Sequence, residues 1–213
     1  MKENIKKLAV LVVIVAIAIF MPVAMALADL PFPLPFRHSI QGEYAATTGA
    51  TCMIAPFGFN PDLTPINGAS IISMQNRESV FTFEKGGTGS VTGNGSIITL
   101  SFIGPNGPVP PSSGSQTISF DFTYTVTPDG MVTITQVPGT YFLTFTSGPN
   151  NGLTYQVEGQ SLKGTITPDG KNITLNTNAS NLFTVIGPNL PSIGLNQSCS
   201  GSSVLTWQHN VRP

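Results

Sequence analysis

"ISFDFTYTV", residues 118–126, decides how this chain is read. Ile118, Phe120, Phe122, Tyr124 and Val126 fall on one side of an extended backbone. Ser119, Asp121, Thr123 and Thr125 fall on the other. Strict alternation of this kind marks a strand with one buried and one solvated face. Weaker alternation recurs at 141–145, 153–157, 162–166 and 173–175. Thr, Val, Ile and Phe, which suit a pleated surface, are abundant throughout. From Ile40 onward no stretch keeps a helical period. Turn formers separate the segments: "KGG" at 85–87, "GPNGPVPPSSG" at 104–114, "GPNNG" at 148–152 and "GPNLP" at 187–191. Many short strands at regular spacing predict an all-β sandwich or barrel.

Immediately after the alternating stretch comes Thr127-Pro128-Asp129-Gly130, and the same four residues return as Thr167-Pro168-Asp169-Gly170. Proline fits the second position of a type I turn because its φ is already set, aspartate suits the third, and glycine accepts the left-handed conformation that follows. Such a turn closes a three-residue hairpin with a bulge. Pro128-Asp129-Gly130 and Pro168-Asp169-Gly170 are therefore predicted hairpin tips, and "FTFEKGGTGSV" (81–91) a third. Calcium is a poor fit, since each repeat offers one carboxylate where a hard cation takes six or more oxygens. Two copies are too few for a solenoid.

Cys52 and Cys199 are the two cysteines, near the two ends of the strand-rich region. In an exported chain they are expected to form one internal disulfide; free buried thiols or intermolecular bonds are the alternatives. If the first and last strands pair antiparallel with Cys52 opposite Cys199, Tyr44 faces Trp207, Ala46 faces Leu205, Ile40 faces Val211 and Gly42 faces His209. One side of this ribbon is then largely apolar. The other carries Gln41, Glu43, Thr47, Thr206, Gln208 and Asn210. A slip of one residue would mix the faces. A sheet whose first and last strands pair has no open edge. The expectation is a closed or nearly closed antiparallel up-and-down β-barrel of about eight to ten strands, its seam held by the Cys52–Cys199 disulfide.

Export itself is read from the start of the chain. Lys2, Lys6 and Lys7 precede an apolar run from Leu8 to Met21, then Pro22 and Ala26-Leu27-Ala28. That order predicts a secretory signal peptide over residues 1–28, cleaved after Ala28. An uncleaved membrane anchor is the alternative, because Leu8–Ala28 is long enough to span a bilayer. Residues 29–39, including "PFPLPF" at 31–36, read as an extended Pro-rich lead-in, and residues 40–213 as a single barrel domain. The expected localisation is secreted or periplasmic.

Charge excludes some partners. Removal of Lys2, Glu3, Lys6 and Lys7 leaves six basic and nine acidic residues. No basic cluster remains to neutralise phosphates, so nucleic acid is set aside. The two histidines, His38 and His209, lack a third ligand at metal-site spacing. No Gly-x-Ser-x-Gly elbow, Walker loop or dinucleotide fingerprint occurs in a fitting context. Asp129 and Asp169 are used by turns and Asp121 alternates outward. Glu78 and Glu84, beside Arg77 and Lys85, read as solvated charge. No catalytic residue, metal or cofactor is assigned, and enzymatic activity is not expected. Asn94, Asn172, Asn178 and Asn196 stand in glycosylation sequons that matter only in a eukaryotic host.

At Gln41-Gly42-Glu43-Tyr44 the chain resembles lipocalins and other calycin barrels. In those proteins a Gly-x-Trp in the first strand packs near the barrel base, with a basic residue near the last strand. Here Tyr44 stands in place of the Trp, while Trp207 and Arg212 sit at the other end of the chain. The resemblance implies a small hydrophobic ligand. The expected lining is Tyr44, Phe120, Phe122, Tyr124 and Trp207. Phe57 and Phe59, also expected to contact the ligand, belong to the long connection 53–68, which reads either as a plug of one barrel end or as a lid. The alternative function is a structural or surface-interaction protein with a solid barrel core.

Overall fold

Among the described residues, the alternation read from the sequence is realised as thirteen strands in chain order. They are β1 (Gly42–Ala55), β2 (Ile71–Phe83), β3 (Thr88–Thr99), β4 (Phe102–Gly104), β5 (Gly107–Val109), β6 (Ser112–Val126), β7 (Met131–Gln136), β8 (Phe142–Phe145), β9 (Thr154–Glu158), β10 (Ser161–Ile166), β11 (Asn172–Thr177), β12 (Leu182–Ile186) and β13 (Leu195–Trp207). The computed structural model describes residues 40–68, 70–104, 107–177, 182–187 and 195–208. The leader, the Pro-rich lead-in, His38, Asn178, His209, Val211 and Arg212 lie outside the described residues.

Five long strands, β1, β2, β3, β6 and β13, form a continuous wall. The rest of the wall is made of strands broken in the middle. β7 pairs with Phe122–Val126 of β6, and β8 with Gln116–Ser119. Between β7 and β8 sit Pro138, which has no N–H to give a ladder, and Gly139 at φ 80°. β10 continues the pairing on β7 as β9 does on β8, and β11 and β12 share β13 in the same way. With each broken pair counted once, eight antiparallel strands follow one another and the last returns to the first. This is a closed up-and-down barrel, as expected.

The closing seam has the predicted register. Tyr44 lies opposite Trp207, Ala46 opposite Leu205 and Cys52 opposite Cys199. The disulfide is formed across it. The pairs expected at Ile40 and Gly42 involve Val211 and His209, outside the described residues.

The hairpin tips lie together at one end. Thr127 N donates to Met131 O and Gly130 N to Thr127 O, enclosing Pro128-Asp129-Gly130 as predicted. Gly130 takes φ 83°. The second copy differs: Thr167 N donates to Asn172 O, so this loop holds Lys171 as well. Glu84 N to Thr88 O closes the third tip around Lys85-Gly86-Gly87. Both threonines also donate their hydroxyls to the aspartate two residues on, Thr127 to Asp129 and Thr167 to Asp169.

The interior at this end is packed solid. Phe81, Phe83, Phe122 and Phe120 form a chain of ring contacts, and Tyr44 and Tyr124 meet Phe83 edge-on at centroid distances of 5.3 and 5.0 Å. Ile134, Ile173, Leu175 and Leu205 complete this floor, each at most 1% exposed. Tyr44 and Tyr124 reach past the apolar layer to donate to Gly170 O at 2.7 Å and Ile40 O at 2.6 Å. Buried tyrosine hydroxyls ordinarily find such partners.

Candidate functional site

One strand shows how the barrel interior changes along its length. The inward side chains of β2, from the far end to the hairpin end, are Ile71, Ser73, Gln75, Arg77, Ser79, Phe81 and Phe83. The sequence is apolar, then polar, then apolar. The same layering runs through β13, where Leu195 precedes Gln197 and Cys199, then Ser203 and Leu205.

Above the polar layer the barrel opens into a cup of about 660 Å³. Its wall is Ile54, Ile71, Ile97, Leu143, Val157 and Leu195, with Phe145, Tyr155 and Val185 on the side of the broken strands. The β4–β5 hairpin adds Phe102 and Val109 at the rim. Gly114 faces the cup without a side chain, and a Cβ there would stand 2.7 Å from Ser147 O. That bare position lets the 146–148 turn strap onto β6, with Ser115 N donating to Ser147 Oγ at 2.8 Å and Thr146 N to Ser115 O at 2.8 Å.

Below the cup lies a chamber of about 70 Å³. Gln75, Leu143, Val157 and Gln197 line both spaces, so the chamber lies directly beside the cup. Its wall carries Thr48, Arg77, Tyr141, Gln160 and Ser203. Arg77 Nη1 donates to the Tyr141 hydroxyl at 2.6 Å, and Nη2 to Gln75 Oε1. Thr48 and Ser203 hydroxyls meet across the seam at 2.7 Å. Several buried polar atoms in this belt have no partner among the described residues: Arg77 Nε, Ser73 Oγ, Gln160 Oε1 and both amide atoms of Gln116. A buried polar group left unpaired costs about 1–3 kcal/mol.

Arg77 corrects the sequence reading, which placed it with Glu78 as solvated charge. Arg77 shares the parity of Phe81 and Phe83, and those two rings face the core, so Arg77 must face inward. Glu78, of opposite parity, is exposed. Gly95 lies opposite Arg77 on β3, where a Cβ would come within 2.9 Å of Arg77 Cγ. The missing side chain gives the arginine room to cross the barrel. The sequence signal was the spacing of Arg77 from the Phe81-x-Phe83 pair, which adjacent charges obscured.

The residues expected to line a ligand site are placed differently from the cup. Tyr44, Phe122 and Tyr124 belong to the packed floor, and Phe120 reaches from that floor to the chamber. Trp207 sits at the closed end, its indole Nε1 3.1 Å from where a Gly42 Cβ would be. Phe57 is 62% exposed. Phe59 is half-buried and bridges to Pro65 within its own loop. Within the 53–68 connection Ile54 lines the cup, whereas Phe57 and Phe59 do not. Burial pushes the phenols of Tyr44, Tyr124 and Tyr155 up, and Tyr124 and Asp169 add repulsion at Tyr44.

Among the described residues no three His, Cys, Asp or Glu side chains come together as metal ligands. Compared with known proteins, the chain matches no family model, and no curated protein matches it significantly.

Proposed function

We propose that this protein is an exported, non-enzymatic β-barrel that binds a small apolar molecule in the cup. The observation that carries the reading is the cavity of about 660 Å³ at one end of the barrel, walled by aliphatic and aromatic side chains. Small-molecule sites are concave, mostly apolar and about 300–1,000 Å³ in size. The alternative, a structural protein with a solid core, calls for an interior filled from end to end, and among the described residues a cavity lies at the end away from the hairpin tips. The disulfide supports export, since such bonds persist in oxidising compartments. Among the described residues no helix is long and apolar enough to cross a membrane. The N-terminal segment fits a cleaved signal peptide by its order of charge, apolar run and small residues.

Uptake of N-phenyl-1-naphthylamine, a neutral dye that fluoresces in apolar surroundings, tests the proposal. The wild-type protein is expected to bind it saturably. Val157→Trp, which places an indole in the cup, is expected to abolish uptake while the barrel's circular dichroism stays unchanged. A wild-type protein that takes up no dye, and carries no small molecule when purified from its own host, would sink the reading.

A further inference from the structure

The cup explains an apolar ligand but not the arginine beneath it. A guanidinium is a permanent cation with five N–H donors. Taking it out of water is costly unless an opposite charge or a full set of hydrogen bonds compensates. Arg77 has two neutral partners, Tyr141 and Gln75, and its Nε has none. No described carboxylate is paired with it. A barrel that needed only a solid middle would place an aliphatic residue here, since a well-packed apolar group avoids the desolvation cost.

Three further features make this a built position. Gly95 opposite Arg77 leaves the space its side chain crosses. Tyr141, 2% exposed and stacked on Phe120 at 4.9 Å, accepts a hydrogen bond from Arg77, which leaves its own proton to donate. The chamber that both residues line measures about 70 Å³ and shares Gln75, Leu143, Val157 and Gln197 with the cup. A water's share of liquid is about 30 Å³, so the chamber holds a group of roughly two waters' size, which suits a planar carboxylate.

We propose that the ligand is an amphiphile with a carboxylate head, seated against the Arg77 guanidinium and the Tyr141 hydroxyl, its hydrocarbon tail lying in the cup. The inference rests on the cup being a ligand site, and adds the chemical class of the ligand. A carboxylate accepts from a guanidinium in charge-assisted bonds about twice as strong as neutral ones. It also supplies the missing counter-charge. β2 runs from Ile71 at the rim to Arg77 at the chamber. At about 3.3 Å per residue and a strand tilt of about 40°, that depth is roughly 15 Å. A tail of about twelve carbons, whose bonds of about 1.5 Å each advance about 1.25 Å along the zig-zag chain, spans it, and one of about ten carbons fills most of it.

The test measures displacement of N-phenyl-1-naphthylamine from the full mature protein by decanoate, methyl decanoate and butyrate, with Arg77→Met compared to wild type. Decanoate is expected to bind wild type about 10- to 100-fold more tightly than its methyl ester, the worth of a charge-assisted hydrogen bond. Arg77→Met is expected to bring decanoate down to the ester's affinity, with the dye's own affinity measured separately for each protein. If acid and ester bind wild type equally while the dye still binds, the head-group assignment is wrong and the cup survives; this comparison needs no variant. Butyrate binding as tightly as decanoate overturns the amphiphile in favour of a free small anion. If the dye and all three compounds fail to bind wild type, the cup reading falls and this inference with it.

Discussion

Cys52 and Cys199 face each other across the β1–β13 seam, their Cα atoms 4.1 Å apart and both side chains buried inside the barrel. The bond joins residues 147 apart in sequence, and so closes nearly the whole folded domain into one loop. In the chain-entropy account, a loop of that length removes about 5 kcal/mol of freedom from the unfolded chain. Cys52→Ala/Cys199→Ala is therefore expected to keep the barrel's circular dichroism, because the seam's backbone ladder remains. It is expected to lower unfolding free energy by about 3–5 kcal/mol in urea titration. A loss under about 1 kcal/mol would mean that the denatured chain is already compact enough to make the staple redundant.

A packed and an exposed phenylalanine predict opposite responses to truncation. Phe122 is 1% exposed and touches Phe81, Phe83, Phe120 and Tyr124. Phe122→Ala leaves a hole the interlocked rings cannot fill, and is expected to cost about 3–5 kcal/mol. Phe57, mostly exposed on its loop, should tolerate alanine within about 0.5 kcal/mol. Comparable losses at both positions, measured by denaturant unfolding, would contradict the packed floor around Phe122.

The division into a packed floor and an open cup shows where sequence reading reached its limit. The alternation of 118–126 revealed β6, and the paired cysteines revealed closure, because both depend on local parity and on a single covalent constraint. The hairpin tips were legible for the same reason, although Lys171 lengthened the second loop beyond the pattern. Which end is hollow depends on how residues from separate strands meet at one level, and parity carries no information about level. Phe120, Phe122 and Tyr124 were expected around a ligand because they are the strongest inward run, and the strongest run is the best packed. The cup is instead walled by residues such as Ile54, Ile97 and Val157, scattered over strands with weak patterns. Arg77 was hidden by Glu78 beside it, which made an inward cation look like surface charge.

Gly164 sits in the middle of β10, between Val132 of β7 and Leu175 of β11. A Cβ there would stand 1.7 Å from Thr174 O, a backbone atom held in the ladder. Its φ is not in the left-handed region, so the constraint is space alone. Gly164→Ala must push β11 away from β10, and overpacking of this kind costs about 1–3 kcal/mol. Gly170→Ala offers the contrast, because nothing lies within 4 Å and its φ of +72° makes the cost conformational. A structure of Gly164→Ala should show β11 displaced. An undisturbed ladder with unchanged stability would show that the strands are less closely packed than described.

The two Thr-Pro-Asp-Gly tips predict a shared pH response. The Thr127 hydroxyl donates to Asp129 and the Thr167 hydroxyl to Asp169. These bonds, the largest influence at each site, hold both carboxyls below the ordinary aspartate range; backbone N–H groups add to them, Lys171 N at 3.1 Å from Asp169 among them. A carboxylate lowered on folding contributes stability that is present above its unfolded value, about 3.9, and is lost as pH falls through the lower folded value. Both groups are exposed, so solvent screens the effect and the expected signature is local. Carbon-detected titration of the two side chains should place both midpoints below that of an unfolded aspartate. Thr127→Val and Thr167→Val should each raise the midpoint of their own aspartate and leave the other unmoved. Midpoints at the ordinary value in the wild type would mean that the threonine hydroxyls do not hold the carboxylates in solution, and that proline and glycine alone set the turns.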